Sequence, residues 1–127
     1  MTALVLTSAS ASAEEFLIEF SSGRTCVVNT DSSVTARSLQ EKFPLKITLE
    51  DYANTERIAY LDFKLETDGG DGYEPHRGDL CYYAPWGNLA FYKKDFRYSK
   101  GLFFIGHVNN ECLAEIEKNS ALLFRKK

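Results

Sequence analysis

The feature that most constrains this chain lies between Asp79 and Val108, where short apolar runs are separated by turn residues. Nine of the seventeen aromatic residues fall between Tyr82 and Phe104. Asp79–Tyr83 and Asn88–Tyr92 flank Ala84-Pro85-Trp86-Gly87, with proline and glycine where a tight reversal needs them. Two strands joined by so short a link pair antiparallel, because a parallel pair requires a crossover of a dozen or more residues. Leu102–Val108 supplies a further strand of the same character. A chain committed to such hairpins closes into an antiparallel barrel or a sandwich.

The flanking sequence extends that pattern. Glu15–Phe20 and Thr25–Asn29 are rich in aliphatic and β-branched residues and enclose Ser21-Ser22-Gly23-Arg24, which predicts a β-hairpin turning at Gly23. Asp31 or Ser32 is expected to cap a helix running to about Lys42, with Ala36, Leu39 and Phe43 forming one apolar stripe. Pro44 stops it, since proline has no N–H and biases Phe43 away from helical geometry. Leu45–Glu50 alternates apolar and polar residues as a half-buried strand does, and Arg57–Leu61 follows as another. Asp68-Gly69-Gly70-Asp71-Gly72 reads as an exposed loop. Asn109 or Asn110 is placed to cap a second short helix ending near Lys118, with Leu113 and Ile116 inward. Ala121–Phe124 is the last strand before the basic tail Arg125-Lys126-Lys127. About eight strands and two helices result.

Length and charge narrow the function. At 127 residues the chain fits a flexible tail, residues 1–13, and one domain over residues 14–127. A net charge of −3 gives no basic footprint for nucleic acid, and Lys93-Lys94 with the C-terminal basic residues is too short to supply one. No apolar run reaches the length of a membrane span. Met1–Ala13 ends in Ala11-Ser12-Ala13, as signal cleavage sites do, but lacks a basic start and has only Ala3-Leu4-Val5-Leu6 as its apolar stretch. Cys26, Cys81 and Cys112 match no zinc spacing and read as reduced, buried thiols, with a Cys26–Cys81 bridge as the alternative. These features predict a cytoplasmic protein, export being the alternative that the Ala/Ser-rich start leaves open.

The order of residues in PLKITLEDYANTERIAYL (44–61) and GDLCYYAPWGNLAFYKKDFRYSKGLFFIGHV (78–108) resembles the small bacterial cyclophilin-like proteins. The resemblance rests on Pro44-Leu45, Asp51-Tyr52, Arg57, Ala59-Tyr60-Leu61, Gly78-Asp79, Tyr82-Tyr83, Pro85, Gly87-Asn88, Phe91-Tyr92, and Leu102 through Ile105-Gly106. It implies a closed cyclophilin-like antiparallel β-barrel of about eight strands with two short helices, in agreement with the strand pattern. Prolyl isomerases of the wider cyclophilin group set an arginine beside an apolar proline pocket, near a glutamine and aromatics. Their phenylalanine-histidine-arginine triplet and glutamine-phenylalanine-phenylalanine strand have no counterpart here, where Asn88-Leu89-Ala90-Phe91 stands in place of the latter.

The expected function is therefore a binding module without classical isomerase activity, with an aromatic cleft lined by Arg57, Tyr60, Tyr82, Trp86, Asn88 and Phe91. Its partner is a proline-containing peptide or a small anionic ligand, Arg57 supplying the charged donor and Asn88 a polar contact. The alternative is an active isomerase in which Arg57 is catalytic. Neither reading calls for a cofactor or a metal. Ser99, His107 and Asp95 are the residue types of a hydrolase triad, but no G-x-S-x-G turn surrounds Ser99. His76 and His107 with Asp68, Asp71, Glu74 and Asp79 match no metal-binding spacing.

Overall fold

The computed structural model describes residues 14–127. The tail expected over residues 1–13 lies outside them. The hairpin forms as its sequence predicts: β1 (Glu14–Glu19) and β2 (Thr25–Thr30) pair antiparallel. Its turn is closed by the Gly23 amide donating to the Phe20 carbonyl at 2.8 Å. After it come α1 (Val34–Gln40), β3 (Leu45–Thr48), β4 (Glu50–Tyr52) and β5 (Glu56–Tyr60). β6 (Gly72–Tyr73), β7 (Asp79–Tyr83), β8 (Asn88–Tyr92), β9 (Ser99–Lys100) and β10 (Leu102–His107) follow, and α2 (Asn110–Lys118) and β11 (Ala121–Lys126) complete the chain.

Nine strands form one antiparallel sheet in the order β3-β11-β1-β2-β10-β7-β8-β5-β4. The outermost strands, β3 and β4, are consecutive in the chain, so the sheet curls until its two ends meet at the bend around Leu49. The result is mainly β and nearly closed, an antiparallel barrel with two helices. Where β2 crosses β10, the backbones approach so closely that a Cβ on Gly106 would stand 2.6 Å from Val28 Cγ1 and 2.8 Å from the Asn29 carbonyl. Only glycine fits there.

The helices are set by their caps. Ser33, rather than Asp31 or Ser32, caps α1, accepting from the Ala36 amide at 3.2 Å. Asp31 instead accepts from the Ser33 amide at 2.9 Å and shapes the turn leading in, as short Asx side chains do. The helix also ends sooner than Lys42, at Gln40, because the chain must bend before Pro44. Asn109 caps α2 through a 2.8 Å bond from the Cys112 amide.

Cys26 and Cys112 form a disulfide between β2 and the first turn of α2, with Cα atoms 5.7 Å apart. This corrects the expectation of three reduced thiols and the alternative Cys26–Cys81 pairing. Cys81 points from β7 into a separate buried cluster, and burial with the nearby Asp79 and Glu56 carboxylates pushes its thiol pKa well up. The C-terminal basic residues are not a free tail. Arg125 and Lys126 lie on β11, Arg125 pairs with Glu19 at 2.8 Å, and Lys127 pairs with Glu15. Among the described residues no helix is long and apolar enough to cross a membrane.

The core lies on the concave side of the sheet, beneath both helices. Phe16, Phe43 and Phe124 pack there with ring centroids 5.0–5.6 Å apart. The strands β5, β7 and β8 are also covered on their opposite face. Ala59, Leu80, Tyr82, Leu89 and Phe91 join the main core, whereas Ile58, Cys81, Ala90, Tyr92 and Leu102 form a second cluster with Tyr73, Tyr83 and Phe96 against it. The covering layer is the segment after β8 and the short β6–β9 ribbon. Strand β8 is consequently buried at every position.

Candidate functional site

The second face of this sheet carries a pocket of about 220 Å³, walled by Tyr83, Trp86, Tyr92 and Phe96 and bordered by Tyr52 and Arg97. The β4–β5 turn supplies Tyr52 and Ala53, the β7–β8 turn supplies Trp86, and the chain after β8 supplies Phe96 and Arg97. The Trp86 ring meets Tyr52 at 5.5 Å and Tyr83 at 5.6 Å, both edge to face. Tyr92 stacks on Phe96 at 6.4 Å, and the Arg97 guanidinium lies 4.6 Å above the Phe96 ring. Edge-to-face and stacked pairs fix ring orientations, so these walls are preorganised.

Two acceptors stand among the lining residues. Asn88, only 2% exposed, donates from Nδ2 to the Leu89 carbonyl at 3.1 Å, while its Oδ1 accepts no hydrogen bond. A buried acceptor left without a donor costs about 1–3 kcal/mol, which makes this atom an anomaly in a finished core. Glu56 is half-buried and forms no ion pair among the described residues. Desolvation raises its carboxyl pKa. Burial raises the Tyr92 hydroxyl too, the negative charge of Glu56 adding to it.

The pocket's outer wall is a tight turn with both central residues left-handed, Ala53 at φ 52° and Asn54 at φ 58°. The Thr55 amide closes it onto the Tyr52 carbonyl at 3.0 Å. Lys93 ties it down, its Nζ donating to Asp51 and Asn54 at 3.3 Å and its amide to the Thr55 carbonyl at 2.8 Å. Asparagine takes up this backbone readily and alanine only at a cost, so Ala53 is held in place by its surroundings.

The six residues expected to share one cleft are divided by the sheet. Trp86 and Asn88 line the pocket. Tyr82 and Phe91 are buried in the core on the other face, where the Tyr82 hydroxyl accepts from the Leu65 amide at 3.3 Å. Tyr60, 56% exposed, stands at the far end of β5 beside Leu45 and Phe63. Arg57 turns inward to the end of α2: Nε donates to the Ile116 carbonyl at 3.4 Å, one Nη to the Asn119 carbonyl, and the other reaches Asp51 at 3.5 Å. Its guanidinium therefore closes the last turn of a helix, where the carbonyls lack partners and cations are favoured.

Strand alternation alone carried the signal for this division. Arg57 and Tyr60 differ by an odd number, as do Asn88 and Phe91, so each pair must point to opposite faces. The same rule applied outward from Asn88 selects Ala90 and Tyr92, and across β5 it selects Ile58 and Glu56. Glu56, Tyr52, Tyr83, Tyr92, Phe96 and Arg97 are among the pocket residues that the sequence reading leaves out.

The hydrolase residues do not converge. His107 Nδ1 bonds the buried Asp79 at 2.8 Å, Asp95 accepts from the Arg77 amide at 2.9 Å, and the Ser99 hydroxyl faces the Arg97 carbonyl. Asp79 is further satisfied by the Tyr73 hydroxyl at 2.7 Å and the His76 amide at 2.8 Å. Among the described residues no group of three or more His, Cys, Asp or Glu is placed to hold a metal ion.

A nearly closed antiparallel barrel with its ends joined by a chain bend and two helices defines the structural class. The chain belongs to the cyclophilin-like family, whose model matches residues 20–125. Its fold is similar to that of a hypothetical protein from Archaeoglobus fulgidus determined in solution, with a TM-score of 0.62 and 18% identity. That likeness covers 92% of this chain and 97% of the other, and at this identity it speaks to the fold. No curated protein matches the chain significantly.

Proposed function

We propose that this protein is a ligand-binding module and that the pocket between Trp86, Asn88 and Tyr92 is its site. The observation that carries the reading is the unpartnered Oδ1 of Asn88, buried in the wall of an aromatic pocket. A polar group in such a place is explained when an arriving ligand supplies its donor. The walls suit an aliphatic or saturated-ring group, such as the side chain of a proline-containing peptide or of a small molecule of similar size. This reading moves the site away from Arg57, whose donors already face the α2 carbonyls and Asp51. It also favours binding over prolyl isomerisation, which would need a free donor aimed at the prolyl nitrogen.

The test is an amide-resolved NMR titration with a panel of Xaa-Pro peptides, with cis/trans exchange of the peptide followed in the same samples. The expected result is saturable shifts at Trp86, Tyr83 and Asn88 that vanish in Trp86→Ala, with exchange remaining on its uncatalysed scale of tens to hundreds of seconds. Shifts gathered around Arg57 and α2 instead, or exchange accelerated and then lost in Arg57→Met, would overturn it.

A further inference from the structure

Beside the tyrosine hydroxyls and the Trp86 indole, the pocket lining holds two acceptors without a partner: the Oδ1 of Asn88 and the carboxylate of Glu56, which lies on the same face two residues from Ile58. No cation of the protein pairs with Glu56 among the described residues. Lys93 is engaged by Asp51 and Asn54, and Arg57 points to the other face. The one cation on the rim, Arg97, is exposed to water and rests on the Phe96 ring, where solvent screens it. Around these acceptors stand the faces and edges of Trp86, Tyr83, Tyr52 and Tyr92, and aromatic faces attract cations.

We infer that the pocket takes an organic cation bearing N–H donors, a primary or secondary ammonium with an aliphatic or cyclic body, which Glu56 balances and Asn88 orients. The inference rests on the pocket being the ligand site, and it replaces the anionic ligand expected from the sequence. The unpartnered Asn88 oxygen gives the ligand its second requirement. A quaternary ammonium would satisfy the charge and the rings but leave that oxygen without a donor. The raised pKa of the Glu56 carboxyl fits the same picture, since a half-buried carboxylate with no countercharge is stabilised by a cation arriving beside it.

Trp86 is the only tryptophan in the chain and is half exposed at the pocket mouth, so its fluorescence reports on this site alone. Five probes sharing a saturated five-membered ring are titrated at neutral pH: pyrrolidinium, N,N-dimethylpyrrolidinium, cyclopentanol, cyclopentanecarboxylate, and the amide of prolylglycine with a free amino end. Pyrrolidinium is expected to bind at least about tenfold more tightly than the alcohol, the carboxylate or the quaternary ion. The dipeptide amide matching or exceeding pyrrolidinium would assign the cation to a peptide's amino end, and its binding more weakly would assign it to a free amine. Glu56→Gln is expected to remove the preference for pyrrolidinium while leaving the response to cyclopentanol within about twofold. Equal binding of the neutral or anionic probes, or an unchanged preference in Glu56→Gln, would overturn the cation while leaving the pocket as the site. Equal binding of the quaternary ion would overturn the role of Asn88 as acceptor. A Trp86 signal indifferent to every probe would overturn both the cation and the site.

Discussion

Arg57 is the residue whose assignment changes most between sequence and structure, and replacing it separates a ligand-binding role from a clamping one. Arg57→Met keeps the apolar stem and removes the guanidinium, so packing is preserved while the carbonyls of Ile116 and Asn119 lose their donors. A hydrogen bond from a charged donor contributes about 1.5–3 kcal/mol, and the longer contact to Ile116 belongs below that range, near 1 kcal/mol. The contact to Asp51 adds at most about 0.5 kcal/mol, because that carboxylate is largely exposed. The sum is about 3 kcal/mol. For a domain of this size, each kcal/mol moves the melting temperature by roughly 4 °C, so the expected loss is about 12 °C. Thermal unfolding followed by circular dichroism measures that loss. The Trp86 titration with pyrrolidinium, run well below the transition, measures binding, which is expected to change less than twofold. A variant that melts within about 2 °C of the parent and no longer binds would refute the clamp and return Arg57 to the ligand.

Three further outcomes follow from the geometry. Replacing Cys26 and Cys112 with serine opens a cross-link spanning 86 residues, and loop-closure entropy alone puts the loss near 4.6 kcal/mol; denaturant unfolding should show a drop of at least about 2 kcal/mol, reproduced in the parent by reductant. Ala53→Gly removes a β-carbon from a left-handed backbone and should stabilise the fold by about 1 kcal/mol, read as a higher denaturant midpoint at constant slope. Glu56 has a folded-state pKa above its unfolded one, so the native state holds the proton more tightly and stability falls as pH rises through the folded value. Glu56→Gln should therefore be more stable than the parent at neutral pH, and the gap should close in acid; melting curves across that range decide it.

The strands were legible where local pattern and tertiary pairing agree. The β1–β2 and β7–β8 hairpins bring together neighbours in sequence, and their turns announce themselves. Gly106 was visible as part of a family pattern, though its reason, the close crossing of β2 over β10, exists only in the fold. The β6–β9 ribbon has no signature in the sequence, because two residues on each side have no periodicity to display. It forms because a Cβ at Gly72 would lie 2.2 Å from the Ser99 carbonyl and is absent. The cysteine pairing was hidden for a related reason: sequence separation says nothing about which turn of α2 lies over β2. The pocket was half legible. Aromatic residues and Asn88 stand out in the sequence, but proximity along the chain groups them differently from parity along the strand, and nothing local marks Glu56 as their neighbour.

The way the sheet closes has a consequence for how copies of this chain behave in a crowded solution. Every open sheet offers two rows of unsatisfied amides and carbonyls on which a stray strand can grow, and long flat rows nucleate aggregates. Here the terminal strands are β3 and β4, of four and three residues, and they carry Lys46, Glu50 and Asp51 on exposed positions. Because one bend joins them, neither row can be extended without parting the two ends of the barrel from each other. Short, charged and joined at one bend, these edges shield an aromatic-rich chain from edge-to-edge strand addition.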